Sequence, residues 1–169
     1  MPSFASVFGR RAVMSTAVDL LRGLAKQVAM DTIELPGVTD TNDNDFAGQM
    51  SGSLAALEHY DTVIVHVEAP DEAAHAGNAH DKVEALEKVD ELMVPQILAL
   101  PYRVRVLVQP DHPTPLRVRT HVSEPVPFIV WAPGRVEPNG ATAYSEAAAA
   151  KTGLLVNPGH GLMRQFLEA

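Results

Sequence analysis

A chain of 169 residues with 46% hydrophobic residues is long enough for one domain with a sizeable core and short for two. Its net charge is −8 and its 13 basic residues are scattered, so nucleic acid or an anionic membrane surface is not expected as a partner. The chain has no cysteine, which excludes disulfides and thiolate zinc sites and leaves histidine and carboxylate side chains as metal ligands. With no apolar run of membrane-spanning length and no signal-peptide pattern, we expect a cytoplasmic protein.

The first half of the chain alternates helical and extended patterns. Ser15 and Thr16 predict the start of a helix, because apolar residues then recur at helical spacing as far as Val28. The patterns that follow predict, in order, a strand over 31–35, a polar loop over 39–45, a helix over 46–59 and a β-branched strand over 62–67.

The second half continues this alternation. A long amphipathic helix is predicted over 78–98, with its apolar side chains turned inward: Val83, Leu86, Val89, Leu92 and Met93. Strands are predicted over 103–109 and 125–131, and a short closing helix over 158–169. Strands that alternate with helices are typical of an α/β fold, here a three-layer sandwich with a mainly parallel sheet, and we expect residues 1–169 to form a single domain.

Acidic and imidazole side chains flank three of the predicted strands. Asp71 and His75 follow the strand predicted over 62–67, and the adjacent pair Asp111 and His112 follows the strand predicted over 103–109. His121 precedes the strand predicted over 125–131, so the loop from residue 113 must bring His121 back to the sheet edge at which the other two strands end. In sheets of this class the active crevice lies at the carboxyl ends of the strands. The sequence therefore predicts a metal site at this edge.

The spacing of these residues indicates two ions rather than one. Residues four apart on a helix face the same point, so Asp71 and His75 suit one ion, whereas the neighbouring side chains of Asp111 and His112 are expected to diverge. Two divalent ions roughly 3.5–4 Å apart stabilise both oxygens of a phosphoryl transfer. Mixed nitrogen and oxygen ligands suit Mn²⁺ or Zn²⁺, and Mg²⁺ less well.

Each motif taken alone has a structural interpretation as well. A histidine after a strand is often a hydrogen-bonded structural residue, and Asp111 with His112 is also typical of an ordinary turn. Asp71 and His75 are also typical of a helix cap and a surface residue. Their joint occurrence beside three strands favours metal binding. The other histidines are interpreted as surface or packing residues (His59, His80 and His160) or as a core residue near the site (His66).

A family resemblance is carried by two segments: 65–98, VHVEAPDEAAHAGNAHDKVEALEKVDELMVPQIL, and 106–131, VLVQPDHPTPLRVRTHVSEPVPFIVW. Both are similar to the C-terminal part of the archaeal-type 2,3-bisphosphoglycerate-independent phosphoglycerate mutases, which belong to the alkaline phosphatase superfamily. Residues 1–30 and 145–163 also resemble this family, so the resemblance covers essentially the whole chain. It implies that the chain is the C-terminal part of an alkaline-phosphatase-like, metal-binding domain.

The resemblance also implies roles for the candidate residues. One metal ion is expected on Asp71, His75 and His121, and a second on Asp111 and His112. The family interconverts 3-phosphoglycerate and 2-phosphoglycerate, a glycolytic isomerase reaction, through a serine that accepts the phosphoryl group and returns it. Basic side chains hold the substrate, and Arg22 stands where related sequences usually have a lysine. A solvated helix arginine is the alternative interpretation of Arg22.

Other parts of the family pattern are expected outside this chain, namely the first metal-binding aspartate, the nucleophilic serine and an inserted substrate-binding domain. Ser3, Ser6 and Ser15 precede or begin the first predicted helix, and none has the expected position at a strand end. We therefore expect no catalytic nucleophile in the chain. Alone it is expected to bind about one Mn²⁺ or Zn²⁺ and to lack mutase activity.

Two other functions stay open. The chain could belong to a metal-dependent phosphatase or phosphonate hydrolase of the same superfamily, because the metal ligands handle only the phosphoryl group. It could also be a non-catalytic metal-binding subunit. Half a sheet leaves an open edge, which favours a homo-oligomer or pairing with an N-terminal part.

Overall fold

The computed structural model describes residues 1–101 and 103–168. The chain divides into two compact units: Met1–Leu100 with Leu116–Thr120, and Pro101–Pro115 with His121–Ala169. The last position of the helix predicted over 158–169 lies outside the described residues. That residues 1–169 act as one domain stays a prediction. None of the described helices is both long and apolar enough to cross a membrane.

A parallel three-stranded sheet organises the first unit. Its strands are β1 (Ala12–Ser15), β2 (Asp31–Ile33) and β3 (Thr62–Val65), in the order β2-β1-β3. Val13 of the central strand lies opposite Asp31 on one side and Val63 on the other. Parallel neighbours need crossover connections, and these contain helices α2 (Asp19–Gln27) and α3 (Phe46–Ala55). The predicted α/β class with a parallel sheet is confirmed.

Helices complete the first unit around a small core. Besides α2 and α3 they are α1 (Phe4–Phe8), α4 (Ala69–Ala76), α5 (Ala79–Lys88) and α6 (Val94–Leu98); a short 3₁₀ turn (Ala56–Glu58) follows α3, and a π-helical turn (Val89–Met93) joins α5 to α6. The core cluster consists of Phe46, Met50, Ala69, Ala85 and Met93. The predicted helix over 78–98 therefore exists, in three successive segments.

The inward face predicted for that helix is partly wrong. Val83 and Leu86 are 54% and 52% exposed, whereas Ala85 is fully buried. The small Ala85 side chain lets α5 pack closely against α4, whose Ala73 and Ala74 are also buried. The π-helical turn changes the angular position of its own residues relative to α5, and within it Met93 is buried and Leu92 is 38% exposed.

The prediction that Ser15 and Thr16 start a helix is also wrong. Ser15 is the last residue of β1, and α2 begins at Asp19. Four residues of strand are too few to show an alternating pattern, and the apolar spacing of α2 extends backwards through them. Hydrogen bonding from β2 and β3 on both sides fixes this segment as a strand, which is information from distant parts of the chain.

The second unit contains a separate two-stranded sheet. Strands β4 (Val106–Val108) and β5 (Ile129–Trp131) pair antiparallel, with Leu107 opposite Val130. The expectation that these two segments extend the parallel sheet is therefore wrong, because they pair with each other in a sheet of their own. Helices α7 (Glu146–Lys151) and α8 (Gly161–Glu168) follow.

Candidate metal centre

Asp71 and His75 face each other on α4. The helix begins shortly after β3 ends at Val65, and Pro70 in its first turn favours helical backbone angles at that point. One turn separates the two residues, and Asp71 Oδ2 lies 3.1 Å from His75 Nε2. Both side chains are partly buried, with 20% and 34% of their surface exposed. The structure thus brings the two together, as their spacing in the sequence predicts.

The surroundings of the His75 ring fit a cation between these side chains. His75 Nδ1 lies 3.0 Å from the main-chain oxygen of Arg119, which can only accept a hydrogen bond, so Nδ1 carries a proton. Nε2 faces a carboxylate oxygen, which is also an acceptor. Two ligand atoms at about 2.1 Å from one ion, at angles of about 90–110°, lie about 3.0–3.4 Å apart. The observed 3.1 Å falls in that range.

Asp111 and His112 lie in a turn of the second unit. The Asp111 carboxylate accepts the main-chain N–H of His112 at 3.0 Å through Oδ1, and its Oδ2 lies 3.2 Å from His112 Nε2. The expectation that the two side chains diverge is therefore wrong. The reason is that neighbours diverge in a regular helix or strand, whereas this turn folds the carboxylate back over the next residue. His112 Nδ1 lies 3.2 Å from the hydroxyl of the buried Thr114.

His121 lies beside His112 in the same unit. The two imidazole rings stack with their centroids 3.6 Å apart and their planes 27° from parallel. Val122 donates its main-chain N–H to the oxygen of Pro113 at 3.1 Å, which brings the start and end of this loop together. Within the second unit the structure therefore gathers Asp111, His112 and His121. Which ion each residue binds stays a prediction.

Comparisons with known proteins agree with a metal site. The family model described as the metalloenzyme superfamily matches residues 1–166. The chain belongs to the metalloenzyme superfamily. This membership and the side-chain groups described above support binding of a divalent metal ion by the chain.

Two relatives of this superfamily chain are named 2,3-bisphosphoglycerate-independent phosphoglycerate mutases. One, from Methanothrix thermoacetophila, is 40% identical over 99% of this chain and 43% of its own length. The other, from Methanothermobacter thermautotrophicus, is 39% identical over 99% of this chain and 42% of its own length. A solved structure from Pyrococcus horikoshii is 25% identical with a TM-score of 0.90, over 99% of this chain and 51% of that one. The chain thus spans less than half the length of the two mutases.

The Arg22 side chain is hydrogen-bonded to the backbone at the carboxyl end of β1. Its Nε donates to the main-chain oxygen of Thr16 at 3.1 Å, and its Nη1 lies 3.3 Å from Asp19 Oδ1. The side chain is 32% exposed, so it is tethered to a strand end and is not a freely solvated helix arginine. Its contact with a substrate stays a prediction.

A hydrogen-bonded group of side chains at the ends of β1 and β3 was not expected from the sequence. The hydroxyl of Thr16 accepts the N–H of Val18 at 3.1 Å and lies 3.0 Å from His66 Nδ1. His66 Nε2 in turn lies 3.3 Å from Glu68 Oε2. The position of His66 just after a β-branched run was the only available signal, because Thr16 is fifty residues away in the chain.

Ser15 corrects one expectation about the nucleophile. It does lie at a strand end, contrary to the prediction that no serine of the N-terminal segment does. Its side chain is fully buried, however, and its hydroxyl oxygen lies 2.8 Å from that of the equally buried Ser53. A hydroxyl enclosed in this way is placed to stabilise packing and is closed to a substrate.

A second group of possible ligand atoms lies on α5, formed by His80, Asp81 and Glu84. Lys88 Nζ lies 2.8 Å from Glu84 Oε1. The hydrogen bond that Lys88 donates to this carboxylate lowers the pKa of Glu84, and a second hydrogen bond from Asn42 lowers it further. A lysine thus already supplies positive charge to this carboxylate. We interpret the group as a solvated ion pair on the helix surface.

Proposed function

We propose that the chain is the metal-binding part of a 2,3-bisphosphoglycerate-independent phosphoglycerate mutase. The observation that carries this proposal is the 3.1 Å pairing of His75 Nε2 with Asp71 Oδ2 on a helix that follows a parallel strand. The two mutase-named relatives, 39% and 40% identical over 99% of the chain, supply the reaction class.

The proposed ligands are those implied by the family pattern. Asp71, His75 and His121 hold one ion, and Asp111 and His112 contribute to the second. The mixture of imidazole nitrogen and carboxylate oxygen favours Mn²⁺, with Zn²⁺ next and Mg²⁺ less suited. Ions held by these residues would supply positive charge to stabilise the phosphoryl group during its transfer to and from the accepting serine.

The chain's own side chains would position the substrate and the ligands. Arg22 extends its guanidinium from α2, with Nε anchored on Thr16 and Nη1 near Asp19. A guanidinium held in this way is oriented to bind the carboxylate or phosphate of phosphoglycerate through its remaining N–H groups. The phosphate-accepting serine is not assigned to the described residues, since Ser15 is enclosed.

Pairing with the remainder of a mutase polypeptide is part of the proposal. Among the described residues, β2 and β3 each pair only with β1, so their outer edges are open to a further strand. A homo-oligomer would use the same edges. Size-exclusion chromatography with light scattering, on the chain alone and with the other part of a mutase, separates these arrangements. A cytoplasmic location remains a prediction.

The mutase proposal is tested with a chimera. This chain replaces the matching 43% of the Methanothrix thermoacetophila relative, and conversion of 3-phosphoglycerate to 2-phosphoglycerate is measured with Mn²⁺. We expect the chimera to be active and its Asp71→Ala variant to lose more than about 100-fold, which is the upper end of the loss seen when the partners that orient metal ligands are removed. An Asp81→Ala control, in the exposed group on α5, should keep the activity.

Hydrolysis of p-nitrophenyl phosphate is measured on the same proteins. A chimera that folds and binds Mn²⁺ but only hydrolyses the phenyl ester would favour the phosphatase alternative. A chimera that folds and binds Mn²⁺ without either activity would contradict a catalytic role and leave the non-catalytic subunit.

A further inference from the structure

The main-chain carbonyl of Arg119 contacts the proposed metal ligand His75. Residues 116–120 belong to the first unit, as does α4, so this contact lies within one unit. The Arg119 oxygen accepts from His75 Nδ1 at 3.0 Å, and Nε2 on the other side of the ring faces Asp71 Oδ2. The carbonyl therefore keeps a proton on Nδ1, while Nε2 faces the carboxylate beside which an ion would bind.

The backbone of Arg119 has an unusual conformation. Its φ is 58°, and Ala29 is the only other residue besides glycine with a positive φ in the part of the chain that the structure describes. The left-handed region is sterically unfavourable for a residue with a side chain. Such a residue persists only where surrounding contacts hold it.

Gly77 accommodates the Arg119 side chain. This glycine ends α4 with a φ of 72°, two residues after His75. A Cβ atom at position 77 would lie 2.5 Å from Cζ and 2.7 Å from Nη2 of Arg119. The guanidinium thus occupies space that only a glycine leaves open, and it packs on the end of the helix that carries His75.

We propose that Arg119 is a positioning residue for the metal site. Its main-chain carbonyl, presented by the left-handed backbone at this position, orients the His75 ring and holds a proton on Nδ1. This inference rests on the metal site of the proposed function. Loss of a hydrogen-bond partner behind a metal-binding histidine lowers metal affinity by about 10–100-fold.

Two substitutions of Arg119 separate the carbonyl from the side chain. Arg119→Gly and Arg119→Val both remove the guanidinium. Glycine adopts a positive φ freely and keeps the carbonyl in place, whereas β-branched valine strongly disfavours that conformation. By calorimetric titration with Zn²⁺, we expect Arg119→Val to bind about 10–100-fold more weakly than wild type, and Arg119→Gly to stay within about 3-fold. Equal affinities for the two variants would overturn the role of the carbonyl.

Nitrogen NMR of the His75 ring gives a readout independent of metal binding. In ¹⁵N-histidine-labelled, metal-free protein, with the His75 signal identified by its loss in His75→Asn, we expect Nδ1 to carry a proton in wild type and in Arg119→Gly. An unprotonated Nδ1 in wild type would overturn the role of Arg119. If wild type keeps the Nδ1 proton but binds no Zn²⁺, the proposed metal site fails and the orientation of the ring by Arg119 stands. The NMR result also applies if Arg119→Val does not fold.

Discussion

Two serine hydroxyls meet in the interior of the first unit. Ser15 and Ser53 are each fully buried, and their Oγ atoms are 2.8 Å apart. Ser15→Ala removes one hydroxyl and leaves the other buried without this partner. Leaving a buried hydroxyl unpaired is unfavourable by about 1–3 kcal/mol. Each single alanine substitution should therefore lower the free energy of unfolding by about 2 kcal/mol.

The double substitution Ser15→Ala with Ser53→Ala leaves no unpaired hydroxyl in this pair. Its effect should be smaller than the sum of the two single effects by at least about 1 kcal/mol. Urea unfolding of wild type, the two single variants and the double variant measures this coupling. The midpoints of the transitions can be compared directly if the dependence of the unfolding free energy on urea concentration is the same for all four proteins. Additive effects would refute the pairing of the hydroxyls.

Three further predictions concern other parts of the fold. Met93→Ala should lower the free energy of unfolding by about 2–5 kcal/mol and Leu86→Ala by less than about 1 kcal/mol, because Met93 is 2% exposed and Leu86 52%. Similar losses would contradict the buried face assigned to α5 and the π-helical turn after it. Gly23→Ala in α2 should stabilise the protein by about 0.5–1 kcal/mol, because a Cβ there meets no atom within 4 Å. Partial burial raises the pKa of Tyr144, which is still 43% exposed, to about 12, so the folded state retains the proton longer and stability should fall modestly as the pH rises from 10 to 12. Tyr144→Phe should reduce this fall in thermal or urea unfolding, and an unchanged pH dependence would refute it.

The sequence predicts the parts of the fold and site that depend on local spacing. Asp71 and His75 are four residues apart after a β-branched strand, and one helical turn brings their side chains to 3.1 Å. The β-branched run predicted a strand over 62–67, which the structure has at Thr62–Val65, and the helix predicted over 78–98 is long enough to show its own period.

Features that depend on distant contacts could not be predicted. The four residues of β1 become a strand because β2 and β3 bond to both of their edges. The antiparallel pairing of β4 with β5 depends on a connection of twenty residues whose course the local pattern does not determine. Arg119 supports His75 through a main-chain oxygen, and a backbone atom leaves no signal in the residue type.

Binding of Mn²⁺ tests the proposed metal centre most directly. The measurement is isothermal titration of the metal-free protein, carried out on wild type, Asp71→Ala and Asp81→Ala. We predict that wild type and Asp81→Ala bind Mn²⁺ alike, and that Asp71→Ala loses the binding because His75 Nε2 then lacks the carboxylate at 3.1 Å. Absence of binding by wild type, or loss of binding in Asp81→Ala with retention in Asp71→Ala, would contradict the proposed metal centre.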